Sequence, residues 1–200
     1  MRRREMTAEE ASAQPPTVPP DFDGDDVQRP EEGSGPLFHR RYRVSIADAR
    51  LTASEVMARV QADPNLVAPT EFARFERIRR MGGGMRVNDE YIVHMPGPWN
   101  GPVRVAEVAD DSFRLVTLRG HLEAGQIEFR VTEDDDLAFQ IQSWARSGDA
   151  LSSLLYDRLR MAKEIQLHMW TSTLERAVRL SGGSRRGPLS IETHRFDVDG

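Results

Sequence analysis

Apolar and polar residues alternate in several short runs through the middle of the chain. In residues 126–132, Ile127, Phe129 and Val131 alternate with polar or charged neighbours, and residues 137–144 have the same pattern. A period of two predicts strands that are buried on one face only, which is typical of an antiparallel sheet. Further strands are predicted over residues 40–48, 85–95, 103–108 and 112–118.

The apolar spacing changes to that of an amphipathic helix in two places. Residues 51–63 have helical spacing, and Thr52 with Glu55 three residues later predicts a capping box at the start. Pro64 ends this helix because a proline disfavours the helical conformation of the residue before it. Residues 149–180 contain neither proline nor glycine and predict a second helix. At 1.5 Å per residue its length is roughly 45–50 Å, enough to lie across a whole sheet.

Three other segments have weaker patterns. Residues 70–80 fit a helix slightly better than a strand. Residues 1–36 hold six prolines, and their nine acidic and four basic residues account for the whole formal charge of −5. Such a segment buries too little apolar surface to offset its ordering entropy, so we predict a disordered acidic, Pro-rich tail. A single domain over residues 37–183 and a flexible C-terminal tail over residues 184–200 complete the predicted organisation.

Composition excludes several classes of function. The chain has no cysteine, which removes disulfides, thiol catalysis and thiolate zinc sites. Outside residues 1–36 the charges balance, so nothing favours nucleic acid as a partner. No apolar run approaches the ~20 residues that a membrane helix requires. The N-terminus lacks the apolar stretch of a signal peptide, and a cytoplasmic protein is therefore expected. No sequence motif indicates a cofactor.

The order of predicted elements is that of an α+β helix-grip fold, in which a curved antiparallel sheet wraps around a long C-terminal helix. Residues 113–131, FRLVTLRGHLEAGQIEFRV, are followed by LAFQIQSWARS and the long helix. This run resembles the bacterial family called domain of unknown function 1990, near the START/polyketide-cyclase-like (SRPBCC) superfamily, which includes the birch-pollen-allergen fold. Leu122 stands where that family pattern suggests a proline. The resemblance implies a helix-grip fold and brings no catalytic residues. It is carried by Thr117, Leu118, Gly120, His121, Glu123, Gly125, Phe129 and the segment from Trp144 to Ser147.

The loop over residues 120–125 has two interpretations. Gly120 and Gly125 can both adopt a positive φ, so a hairpin connection in which His121 bonds a loop carbonyl or Glu123 explains the pattern. Alternatively, His121 is a general base oriented by Glu123 at the mouth of a cavity. The first interpretation needs fewer assumptions, because the sequence supplies no third partner for the pair.

Other candidate residues are less specific. Glu90 and His94 have even spacing on one predicted strand, so they share a face and form a second candidate acid–base pair. The five histidines lack the short spacings of metal ligands, and we predict no metal site. Arg104, Arg114 and Arg130 lie on predicted strands and are expected to face solvent, whereas a buried arginine would suggest an anionic ligand group. Residues that could line a ligand pocket are Trp99, Phe129, Phe139, Ile141, Met169 and Trp170.

Three functional hypotheses follow. The favoured one is a protein that binds a small apolar or amphipathic ligand in a cavity between the sheet and the C-terminal helix. The second is an enzyme of the cyclase or hydrolase type that uses one of the two His/Glu pairs. The third is a protein-interaction module without a cavity, in which the acidic tail and the long helix bind a protein partner.

Overall fold

The described residues form one nine-stranded sheet and two α-helices. The computed structural model describes residues 2–7, 15–19, 22, 24, 26–80, 82–96, 100–147 and 156–197, and the backbone alone for residues 2–7 and 156–165. The strands are β1 (Arg2–Thr7), β2 (Ser34–Ala47), β3 (Arg74–Arg79), β4 (Glu90–His94), β5 (Asn100–Val108), β6 (Ser112–Thr117), β7 (Glu123–Glu133), β8 (Leu137–Ser147) and β9 (Ser184–Phe196). The helices are α1 (Ala53–Ala62) and α2 (Tyr156–Ser181).

The strand order is β1-β9-β2-β8-β7-β6-β5-β4-β3. Strands β3 to β8 are joined in sequence as antiparallel neighbours, while β1 pairs with β9 in parallel. The predicted α+β class with a mostly antiparallel sheet is therefore confirmed. No helix within the described ranges combines the length and apolar character needed to cross a membrane.

One face of the sheet, which we call the inner face, carries the main core. Phe129 pairs with Ile141 and Val131 with Phe139 across β7 and β8, and all four side chains are buried. Helix α1 covers this face with Val56, Met57 and Val60. The C-terminal half of α2 adds its own buried side chains to the same cluster, namely Met169, Trp170, Leu174, Ala177 and Val178.

The predicted first helix is confirmed together with its signals. It spans Ala53–Ala62, and Glu55 N–H donates to Thr52 Oγ1 while Thr52 N–H donates to the Glu55 carboxylate. The preference for a helix over residues 70–80 is wrong, because Arg74–Arg79 forms edge strand β3. Asn65 fixes that strand from outside the sheet: its side chain accepts from the Phe75 N–H at 2.8 Å and donates to the Phe75 carbonyl at 2.9 Å. The proposed start of the second helix at Asp149 lies outside the described residues.

The expected flexible C-terminal tail is wrong for residues 184–196. They form β9, which is hydrogen-bonded on both sides, to β1 and to β2. Leu189 and Ile191 reach the core, whereas most neighbouring side chains are polar. Backbone hydrogen bonds to two neighbouring strands hold β9 in the sheet, so its side chains can be mostly polar. Its sequence therefore lacks the clear apolar alternation that predicts a strand.

The expected disordered tail is also wrong for the described parts of residues 1–36. Residues 2–7 form β1, and the described residues between 15 and 33, here called the N-terminal strap, pack on the outer face of the sheet. Phe22 and Val27 of the strap are buried there. The strap has no hydrophobic core of its own, and its apolar side chains are buried against an apolar patch on the sheet. That patch consists of Ala106, Val116 and Leu118.

The strap also covers two of the three arginines that were expected to face solvent. Arg104 and Arg114 are each only 3% exposed. Arg104 donates to the Glu90 carboxylate at 2.9 Å, and Arg114 donates to Glu107 at 2.6 Å and to the carbonyl of strap residue Thr17 at 3.2 Å. Both buried charges are therefore compensated by the chain itself.

Candidate functional site

A cavity of about 100 Å³ lies between the inner face of the sheet and α2. Its walls are mostly apolar, and a smaller set of polar residues is grouped around the β6–β7 loop and the adjoining strands. The apolar residues include Val93, Leu115, Ile127, Phe129, Met169 and Trp170. The polar residues include Thr117, His121, Glu123, Ser143 and Gln166.

The two glycines of the β6–β7 loop are required for different reasons. Gly120 has a φ of 93°, the left-handed conformation predicted from the sequence. Gly125 lies inside β7, where a Cβ would come within 2.0 Å of the Trp144 carbonyl oxygen. Its N–H donates to Thr117 Oγ1 at 2.8 Å. The prediction of a positive φ at Gly125 is therefore wrong. Glycine is required there because of the close contact with the Trp144 carbonyl.

The N-terminal strap holds the same loop from the outer side. Gln28 N–H donates to the Thr117 carbonyl at 2.9 Å, and the Gln28 side chain donates to the His121 carbonyl at 3.2 Å. The Thr117 hydroxyl donates back to the Gln28 carbonyl at 3.0 Å. The conformation of the loop thus depends on a segment more than 80 residues away in sequence.

His121 lines the cavity, and its ring is tied into its own turn. The Glu123 N–H donates to His121 Nδ1 at 2.9 Å. The Glu123 carbonyl oxygen lies 3.0 Å from the same Nδ1. This nitrogen therefore accepts from the Glu123 N–H in one tautomer and donates to the Glu123 carbonyl in the other, so the Glu123 main chain holds the ring in both. Burial lowers the pKa of His121, and the nearby Glu123 offsets this only in part. The Nε2 edge faces Gly101, where a Cβ would lie 2.8 Å from it.

The carboxylate of Glu123 turns toward other partners. Gln166 of α2 donates to it at 3.2 Å, and the Arg40 guanidinium of β2 lies 3.7 Å away. The structure therefore brings His121 and Glu123 together through the Glu123 main chain, while the carboxylate links the loop to β2 and α2. The Glu123 main chain thus engages His121 Nδ1 in either tautomer, and Nε2 is the ring nitrogen left to face other groups.

The second candidate pair, Glu90 and His94, is on the other side of the sheet. Val93 and Tyr91 of β4 face the core, so the alternating residues Glu90 and His94 face outward. His94 is hydrogen-bonded to Glu76 at 2.6 Å, and Glu90 accepts from Arg104. A catalytic role for this pair in the cavity is inconsistent with the geometry.

The predicted pocket residues divide into three groups. Phe129, Met169 and Trp170 line the cavity. Phe139 and Ile141 lie on the same face of β8 but are packed in the core, with 0% exposure. Trp99 lies outside the described residues.

Three polar residues near the cavity were not predicted as site residues from the sequence: Arg40, Ser143 and Gln166. Arg40 pairs with Ser143 across β2 and β8. A signal was present, because Arg40 is in phase with the apolar residues Tyr42 and Val44. Ser143 is likewise in phase with Ile141. Polar residues that interrupt an inward-facing series mark a place where the core is not purely apolar.

Comparisons with known proteins identify relatives of this chain. The family model of a domain of unknown function, DUF1990, matches residues 7–175. A search of the curated proteins finds no match. Among solved structures, the di-domain ARO/CYC StfQ from the steffimycin biosynthetic pathway aligns with a TM-score of 0.52 at 11% identity, covering 76% of this chain and 52% of StfQ. This chain thus spans about half the length of that relative, with which it shares the fold.

Two further solved structures align with lower scores. Ara h 8.0201 has a TM-score of 0.47 at 7% identity, with 71% of this chain and 99% of that chain covered. A conserved protein from Geobacillus kaustophilus has a TM-score of 0.48 at 11% identity, with 74% and 99% covered.

Proposed function

Because this chain belongs to the family of domain of unknown function DUF1990, whose description assigns no activity, we propose its function from the cavity: it binds a small apolar or amphipathic molecule between the sheet and α2. In this proposal the sheet wraps α2 as in a helix-grip fold, and the helix forms one wall of the site. The fold shared with StfQ is compatible with this arrangement.

The observation that carries the proposal is the composition of the cavity wall. Ile127, Phe129 and Met169 contribute apolar surface, while His121 and Ser143 contribute polar groups beside it. Ligand sites in proteins combine a mostly apolar wall with a few polar groups that fix orientation.

The size of the cavity limits the ligand. At about 100 Å³ it is smaller than the ~150 Å³ cavity that holds benzene in an engineered protein. A small ring or a short chain fits without movement of the wall. A larger ligand requires a displacement of α2 or of the loop that carries His121.

The enzyme hypothesis receives less support. The Glu123 carboxylate that would orient His121 accepts from Gln166 instead, and Glu90 with His94 faces away from the cavity. The interaction-module hypothesis assigned partner binding to the acidic tail. The described part of that tail is engaged on the chain's own sheet, where Phe22 and Val27 are buried, so a partner would have to displace it.

Native mass spectrometry of the full chain, purified from its own host, tests the proposal. We expect a bound species of constant added mass in repeated preparations. Ala145→Leu places a larger side chain in the cavity wall and should remove that species. Ala62→Leu, on the exposed end of α1, is the matched control and should retain it. Absence of any bound species, together with no response of cavity residues to small cyclic hydrocarbons in NMR titrations, would refute ligand binding.

A further inference from the structure

Two buried polar side chains that line the cavity lack hydrogen-bond partners. They are Ser143 and Trp170, which are 5% and 9% exposed. Neither Ser143 Oγ nor Trp170 Nε1 has a partner in the described part of the chain. Buried polar groups in native proteins are almost always bonded to protein or to water. Unpartnered groups beside a cavity therefore indicate something that fills it.

The chemistry of these groups restricts what can satisfy them. The indole of Trp170 can only donate a hydrogen bond, and the hydroxyl of Ser143 can donate or accept. His121 adds a third donor, at Nε2, in the tautomer in which Nδ1 accepts from the Glu123 N–H. The common complement of the Trp170 indole and the Ser143 hydroxyl is an acceptor oxygen.

The charges around the cavity argue for a neutral acceptor. Arg40 pairs with Ser143 across β2 and β8, and Glu123 lies 3.7 Å from the Arg40 guanidinium. The pair has no net charge, although Arg40 Nη1 has no hydrogen-bond partner in the described part of the chain, and Gln166 adds a neutral donor to Glu123. A carboxylate ligand would have to compete with Glu123 for Arg40 and would be repelled by it. A cationic ligand would meet donors where it needs acceptors.

We propose that the ligand of this cavity is a small, uncharged molecule with a carbonyl oxygen, and that Trp170 and Ser143 donate hydrogen bonds to this oxygen. The inference rests on the proposed function and specifies the class of ligand. The apolar part of the molecule packs on Phe129, Met169 and Ile127. No group is transferred and no bond is broken in this recognition.

An isosteric pair of probes tests the inference. Cyclopentanone and methylenecyclopentane differ only in a C=O against a C=CH₂ group, so their apolar contacts are matched. We would titrate each into the full chain and follow the indole ¹H–¹⁵N signals of its three tryptophans by NMR. Cyclopentanone should bind about 5- to 10-fold more tightly, because a net hydrogen bond supplies that factor. It should shift the Trp170 indole signal and leave the Trp144 signal in place.

Substitutions test whether Trp170 and Ser143 cause the preference for the ketone over the hydrocarbon. Trp170→Phe and Ser143→Ala should each bring the affinity ratio of ketone to hydrocarbon toward one. Trp144→Phe is the matched control: its Nε1 is also buried without a partner in the described chain, but it lies on the outer face, and its loss should leave the ratio unchanged. Ser143→Ala removes no protein hydrogen bond, so it should fold at least as stably as the wild type, which keeps the test valid if Trp170→Phe unfolds.

The outcomes separate the two proposals. Equal binding of ketone and hydrocarbon in the cavity would overturn the carbonyl inference and leave the proposed function standing. Tighter binding of cyclopentanecarboxylate than of cyclopentanone would overturn the requirement for a neutral ligand. If none of the probes perturbs the signals of cavity residues, the proposed function fails and the inference fails with it.

Discussion

Replacement of Phe22 by alanine distinguishes a packed N-terminal strap from a disordered tail. Phe22 is 8% exposed and packs with Val27, Ala106, Val116 and Leu118 on the outer face of the sheet. Its ring also lies 5.8 Å from the guanidinium of Arg104. A disordered tail would offer none of these contacts, so the same substitution would then have no effect on stability.

The expected magnitude follows from burial. Fully burying a phenylalanine contributes about 1.5–3 kcal/mol, and the space left behind raises the cost of Phe→Ala to about 3–5 kcal/mol in a rigid core. The strap can relax toward the sheet, so we expect the lower end, about 3 kcal/mol. Phe22→Leu retains most of the apolar surface and should cost about 1 kcal/mol.

Urea unfolding of the full chain measures this cost. With an m-value of roughly 2 kcal/mol/M, a loss of about 3 kcal/mol lowers the midpoint by about 1.5 M. Leu66→Ala, at a side chain that is 46% exposed, is the control and should lower it by less than about 0.3 M. A Phe22→Ala midpoint within the range of that control would refute the packing of the strap.

Three further predictions concern the sheet. Burial lowers the pKa of His39 to about 4, so the unfolded chain binds a proton that the folded chain does not. Stability should therefore fall as the pH drops from 6.5 to 4, and His39→Gln should flatten this dependence in urea midpoints measured across that range. Gly125→Ala should unfold or severely destabilise the protein, because the new Cβ would meet the Trp144 carbonyl oxygen at 2.0 Å; a normal melting temperature would contradict this. A chain that ends at residue 183 lacks β9, so it should give a poorly dispersed NMR spectrum, and a native-like spectrum would show that β9 is dispensable.

The strands of the main core could be predicted because each repeats a local signal. Ile127, Phe129 and Val131 alternate in sequence, and the structure places them on the inner face of β7. The capping box at Thr52 is likewise complete within four residues. Such signals depend on the period of the backbone, which is a property of neighbouring residues.

The candidate site could be predicted only in part. His121 and Phe129 were identified and do line the cavity. The partners of Glu123 could not be found by spacing, because Arg40 and Gln166 come from β2 and α2. Contacts between side chains that are far apart in sequence depend on strand register and helix position, which local spacing does not specify.

The chain by itself therefore determined strands β2 and β4 to β8, its first helix and the inward-facing side of those strands, since hydrophobic periodicity encodes these directly. Only the tertiary structure decided the roles of the two ends. Residues 184–196 become a strand because β1 and β2 both pair with their backbone. The strap orders because the sheet presents an apolar patch to Phe22 and Val27. A segment with few apolar residues can be ordered by a surface formed elsewhere, and no composition of the segment alone reveals that surface.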